Sequence, residues 1–91
     1  MSIMIRIPTA LRGLTGGLAE SPASGATLGA VLNDLEARHR GIRRALCDEQ
    51  GRPLRFVAIF VNGMDVRTLQ GLDTPLAPDA EIDIVSAIAG G

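Results

Sequence analysis

Lysine is missing from this 91-residue chain; all nine of its basic side chains are arginine. That excludes a Walker-type phosphate loop, which needs its lysine, and a Schiff-base nucleophile. One cysteine, Cys47, cannot form an internal disulfide and fits a reducing cytoplasm. One histidine, His39, beside that single thiol leaves no ligand set for a metal. Tryptophan and tyrosine are absent, and Phe56 and Phe60 are the only aromatics, so the core has to be built from Ile, Val, Leu and Ala. No apolar run approaches the ~20 residues of a membrane span. The start, Met1-Ser2-Ile3-Met4-Ile5, has no secretory signal pattern. A net charge of −1 leaves no electrostatic footprint for nucleic acid or for an anionic membrane surface.

What is present reads as one small domain with mixed secondary structure. Ile3, Ile5 and Ile7 alternate with Met4 and Arg6, predicting a strand with its isoleucines inward, ended by Pro8. Residues 12–17 read as a loop, followed by a second strand over about Leu18 to Pro22. Thr27 is placed to cap a helix in which Leu28, Val31, Leu32 and Leu35 fall on one face. Glu36 and Arg40 are spaced for an i,i+4 pair, and Gly41 suits the position past the helix end. A short turn or helix over Ile42 to Leu46 and a polar loop over 48–53 follow. Arg55 to Asn62 is the best strand, with Val57, Ile59 and Val61 on one face and Ala58 and Phe60 on the other. Asn62-Gly63 signals a hairpin, with Met64 to Arg67 pairing back. A long loop then leads to a last strand, residues 81–87, with Ile82 and Ile84 inward. One helix is long enough to cover the apolar face of such a sheet, which predicts an α+β domain with that helix packed across one face.

The last four residues, Ile88, Ala89, Gly90 and Gly91, are expected to form a flexible tail beyond a domain spanning 1–87. Glycine loses the most freedom on ordering, and chain ends tend to remain mobile. The outermost reactive group is then the Gly91 carboxylate, and the body reads as a handle that presents it. Four extended residues reach on the order of 13 Å, enough to enter a partner's cleft.

The element order resembles the β-grasp fold of ubiquitin. The residues Ile7-Pro8-Thr9-Ala10-Leu11-Arg12, Thr27-Leu28-Gly29-Ala30-Val31, Arg55-Phe56-Val57 with Ile59 and Val61-Asn62, Val66-Arg67 and Ala89-Gly90-Gly91 are similar to the small sulfur carriers of the MoaD/ThiS superfamily, and within it to the actinobacterial CysO type. The resemblance implies a protein co-substrate, not an enzyme, in which Gly91 alone takes part in the chemistry. A MoeB/ThiF-type adenylyltransferase would consume ATP to join AMP to the Gly91 carboxylate, with no cofactor bound by the carrier. A sulfur donor would then leave a C-terminal thiocarboxylate. The sulfur would pass to a cysteine synthase or to a thiosugar synthase of secondary metabolism, with a metalloprotease clipping the product in the cysteine pathway. A molybdopterin-synthase-type small subunit, a ubiquitin-like modifier conjugated to lysines, and a plain β-grasp binding module are the alternatives.

The docking surface follows from the alternation together with the resemblance, which implies that the strands carrying Phe60 and Val85 are neighbours. With Val57, Ile59, Val61, Ile82 and Ile84 facing the helix, Ala58, Phe60 and Val85 face out, with Ile88 beside them at the tail root. Exposed apolar patches mark interaction sites, so these four are the candidate partner-binding residues. The competing expectation is that the loop over 67–75 covers Phe60. Arg55 and Arg67 are candidates to flank the patch. His39 reads as a solvated helix residue, Cys47 as a buried small side chain, and the acidic pairs as solvated charges. No catalytic constellation is visible within the chain.

Overall fold

The computed structural model describes residues 2–87. The expected tail, Ile88, Ala89, Gly90 and Gly91, lies outside the described residues. Five strands and two helices run in the order β1 (Ile3–Arg6), β2 (Glu20–Ala23), α1 (Leu28–Arg38), α2 (Ile42–Leu46), β3 (Val57–Val61), β4 (Met64–Asp65) and β5 (Ile82–Ser86). They form one mixed sheet in the order β2-β1-β5-β3-β4, with β5 at its centre. β5 runs parallel to β1 and antiparallel to β3. α1 lies across one face, as the layer argument predicts. No helix among the described residues is long and apolar enough to cross a membrane.

The core forms where the alternation places it. Ile3, Ile5, Val57, Ile59, Val61, Ile82 and Ile84 are buried on the inner sheet face. Leu28, Val31, Leu32 and Leu35 are buried from α1. Each such side chain contributes about 1.5–3 kcal/mol relative to exposure. Thr27 caps α1, its hydroxyl accepting the Ala30 N–H at 3.2 Å. Asn62 (φ 51°) and Gly63 (φ 83°) supply the two positive φ angles of the β3–β4 turn.

Several local expectations differ from the structure. Residues 12–17 are not all loop: Thr9–Leu14 is a 3-10 helix, with Leu11 N–H on the Pro8 carbonyl and Arg12 Nε on the Ile7 carbonyl. A six-residue 3-10 turn has no 3.6-residue period to read. β2 starts at Glu20, two residues later than expected, because the Thr15 hydroxyl holds the Leu18 carbonyl at 3.0 Å and keeps that segment in the turn. Pro22 is tolerated because β2 is an edge strand. The predicted Glu36–Arg40 pair does not form. The Glu36 carboxylate accepts the backbone N–H groups of Gly41 (3.0 Å) and Arg43 (3.0 Å), and the i,i+4 ion pair of α1 is Asp34–Arg38 at 3.1 Å. Those N–H groups hold Glu36 below its ordinary carboxylate range, as the Ser24 N–H and then Arg38 do for Asp34.

Candidate functional site

The outer face of the sheet centre is built by β3 and β5. Their register sets Ala58 opposite Val85 and Phe60 opposite Asp83. Phe60 and Val85 are therefore diagonal neighbours, within reach of an aromatic side chain. Val85 is 49% exposed, whereas Ala58 and Phe60 are half-buried. Together they form a small apolar platform. Phe60 is also opposite Asp65 of β4, so carboxylates stand on both sides of it. Both are already engaged: Asp83 pairs with Arg6 at 3.4 Å, and Asp65 accepts the Arg67 N–H at 2.8 Å. The platform thus has an apolar centre and a rim of paired charges, the layout expected of a recognition surface.

The loop over 67–75, expected to compete for Phe60, is fastened in its later part to the start of α1. Thr74 accepts the Leu28 N–H on its carbonyl, and the Leu76 N–H reaches the Ala26 carbonyl. Gly29 has no side chain and lets Leu72 close on the helix, where a Cβ would stand 3.2 Å from the Leu72 carbonyl oxygen.

The platform adjoins the point where the described chain ends. Val57 is opposite Ser86, and the Ala87 N–H donates to the Phe56 carbonyl at 2.8 Å. At the other end of β5, Asn62 grips Glu81 twice: its N–H donates to the Glu81 carbonyl and its Oδ1 accepts the Glu81 N–H. The root of the expected tail is therefore pinned to a central strand that is itself held at both ends. Ile88, the fourth proposed platform residue, lies outside the described residues, as do Ala89, Gly90 and Gly91.

Three features escaped the sequence reading. Phe56 is 37% exposed, beside the tail root, on a groove of about 1080 Å³ also lined by Pro53, Leu54, Val66, Arg67 and Leu72. Being one of two aromatics was a signal for it. Met4, 47% exposed between inward Ile3 and Ile5, was readable from the same alternation. Arg67 is not a free rim charge: its guanidinium donates to the Val57 carbonyl at 2.8 Å and the Leu54 carbonyl at 3.2 Å. Two residues set aside also resolve. His39 is half-buried, not solvated, with Nε2 3.0 Å from the Ser21 hydroxyl. Cys47 is buried, and that burial pushes its thiol up, the reverse of a reactive thiolate.

A five-stranded mixed sheet crossed by one helix, with an apolar platform beside the end of its central strand, defines a ubiquitin-like β-grasp protein. The chain belongs to the ThiS family, whose match covers residues 5–91. It is 47% identical to the sulfur carrier protein CysO of Mycobacterium tuberculosis over 93 aligned positions, covering all of both chains. A chain in the crystal structure of the Amycolatopsis orientalis BexX/CysO complex superposes with a TM-score of 0.90 at 38% identity, covering 98% of this chain and 99% of that one. The small archaeal modifier protein 1 of Methanosarcina acetivorans superposes with a TM-score of 0.79 at 27% identity, covering 99% and 96%.

Proposed function

We propose that this protein is a sulfur carrier. A carboxylate oxygen of Gly91 attacks the α-phosphorus of ATP in a partner adenylyltransferase, releasing pyrophosphate and forming an acyl adenylate. A sulfur donor attacks that carbonyl; a C–S bond forms, the C–O bond to AMP breaks, and a thiocarboxylate remains. The platform of Ala58, Phe60 and Val85 docks the body while Ile88, Ala89, Gly90 and Gly91 enter the active site. Glycine suits a segment that threads several different clefts, since it adds no side chain and accepts a wide range of φ/ψ.

The observation that carries this reading is the full-length 47% identity to sulfur carrier protein CysO. ATP is consumed by the partner and nothing is bound permanently by the carrier. The likeness to a chain crystallised with BexX supports a second partner, which accepts the sulfur. Cysteine synthesis and secondary-metabolite sulfur insertion are the pathways proposed for it.

Incubation with ATP, sulfide and a ThiF-type adenylyltransferase tests the reading. The intact mass should rise by one oxygen-for-sulfur exchange, located on the peptide that contains Gly91. The likeness to the archaeal modifier protein favours a second reading, conjugation through Gly91 to lysines of other proteins. That reading expects isopeptide adducts on target proteins and no stable thiocarboxylate.

A further inference from the structure

Among the nine arginines, Arg67 makes an unusual set of bonds. Arg6, Arg38 and Arg52 meet carboxylates at the surface. Arg67 instead spans a turn of the main chain: Nη2 donates to the Leu54 and Val57 carbonyls, at 3.2 and 2.8 Å. Nη1 lies 3.5 Å from Asp65 Oδ2, and Asp65 Oδ1 accepts the Arg67 backbone N–H. The Thr68 hydroxyl donates to the Asp65 carbonyl at 2.7 Å, holding that carboxylate's own backbone. The turn being spanned closes with the Val57 N–H on the Leu54 carbonyl at 2.8 Å. Between those two residues sits Phe56, whose carbonyl receives the Ala87 N–H.

We propose that Arg67 is a positioning residue for charging of the C-terminus: its fork fixes the Leu54–Val57 turn, and the turn holds the root of the tail at Ala87. The proposal deepens the sulfur-carrier reading and rests on it. The physical reason is entropic. While Ala87 stays bonded to Phe56, the adenylyltransferase meets a root already held in the sheet. Each further residue released from the β3–β5 ladder adds backbone freedom that binding must remove. A lysine cannot reproduce this arrangement, because Nη2 serves both carbonyls while Nη1 faces Asp65, and a compact ammonium lacks the fixed planar geometry that spans the two.

The test compares Arg67→Lys and Arg67→Gln with Arg38→Gln, a control that removes a surface ion pair of α1. Amide hydrogen exchange is read by NMR at Ala87 and at Asn62, whose N–H pins the other end of β5. Charging is read as KM and kcat of ATP–pyrophosphate exchange with the adenylyltransferase. Loss of a charge-assisted bond should speed exchange at Ala87 about tenfold, leave Asn62 unchanged, and raise KM by a similar factor at constant kcat. Both Arg67 variants should behave alike, and Arg38→Gln should match the wild type. Full recovery of KM in Arg67→Lys would mean that Arg67 acts as a surface charge, and would overturn the proposal. So would equal loosening at Ala87 and Asn62, the mark of a merely structural role. If Arg67→Gln does not fold, Arg67→Lys decides alone. Failure of the wild type to be charged would remove the sulfur-carrier reading and with it the catalytic half of the proposal; the exchange rates at Ala87 still decide whether Arg67 holds the root.

Discussion

Gly51 shows how a single residue can be fixed by its backbone. It adopts φ +82°, and a Cβ there would stand 2.2 Å from Leu72 Cδ1. Leu72 can swing aside, but the left-handed backbone cannot relax. Gly51→Ala should therefore cost about 1–3 kcal/mol, measured as a lowered urea midpoint at unchanged slope. Glu36 shows a different economy. Its carboxylate caps the chain between α1 and α2 by accepting two backbone N–H groups, which lowers its pKa in the folded state. Asp34 and Asp48 are lowered as well, each chiefly by a backbone N–H. A lowered folded pKa means the stabilisation is present above the unfolded value and is lost as pH falls through the folded one. The melting temperature should accordingly fall as the solution is acidified from the unfolded range downward, that is below about pH 4.5. Glu36→Gln should flatten that dependence, and an unchanged slope would assign the acid sensitivity to other carboxylates.

At the scale of elements, β5 matters most. It occupies the sheet centre, is gripped by Asn62 at its start and by Phe56 at its end, and turns Val85 outward. Because Val85 is half exposed, Val85→Arg should shift the melting temperature by only a few degrees, as surface changes away from special features do. It should raise the KM for adenylation about tenfold if the platform is a docking centre, where a few apolar residues dominate binding. An unchanged KM would move the docking surface elsewhere, with the groove beside Phe56 next in line. The strands that build this platform were legible because their signals are local: Ile3, Ile5 and Ile7, then Val57, Ile59 and Val61, then Asn62-Gly63. Thr27 capping Ala30 is local too. The features that were not legible depend on partners distant in sequence. Arg67 reaches the Val57 carbonyl ten residues back, and His39 meets Ser21 across eighteen. The Arg12 fold-over on Ile7 follows from a 3-10 turn that leaves no periodic trace, and the late start of β2 from the Thr15 hydroxyl on the Leu18 carbonyl. The family resemblance supplied the strand adjacency that alternation alone could not, and with it the expectation that Phe60 and Val85 share a patch; the register of Ala58 with Val85 came from the structure.

At the scale of the whole molecule, we propose that stability and the charging chemistry itself occupy separate parts of the chain. Among the described residues, every buried core side chain lies between Ile3 and Ile84. Among the described residues, the last bond that holds β5 is the one from Ala87. We expect that network to suffice for the fold, so removing the two glycines should leave the urea midpoint and melting temperature unchanged within error. Charging should vanish altogether, because the truncated end places the Ala89 carboxylate two residues short, roughly 7 Å from where Gly91 would bring it. A side chain at the new end would also enter a cleft suited to glycine. Two measurements on one truncated protein separate the roles: a thermal melt for the body and intact mass after incubation with ATP, sulfide and adenylyltransferase for the end. A shortened chain that still exchanges oxygen for sulfur would place the reactive carboxylate somewhere other than Gly91. A shortened chain that melts early would show that the diglycine belongs to the fold, and the division between handle and reactive end would no longer hold.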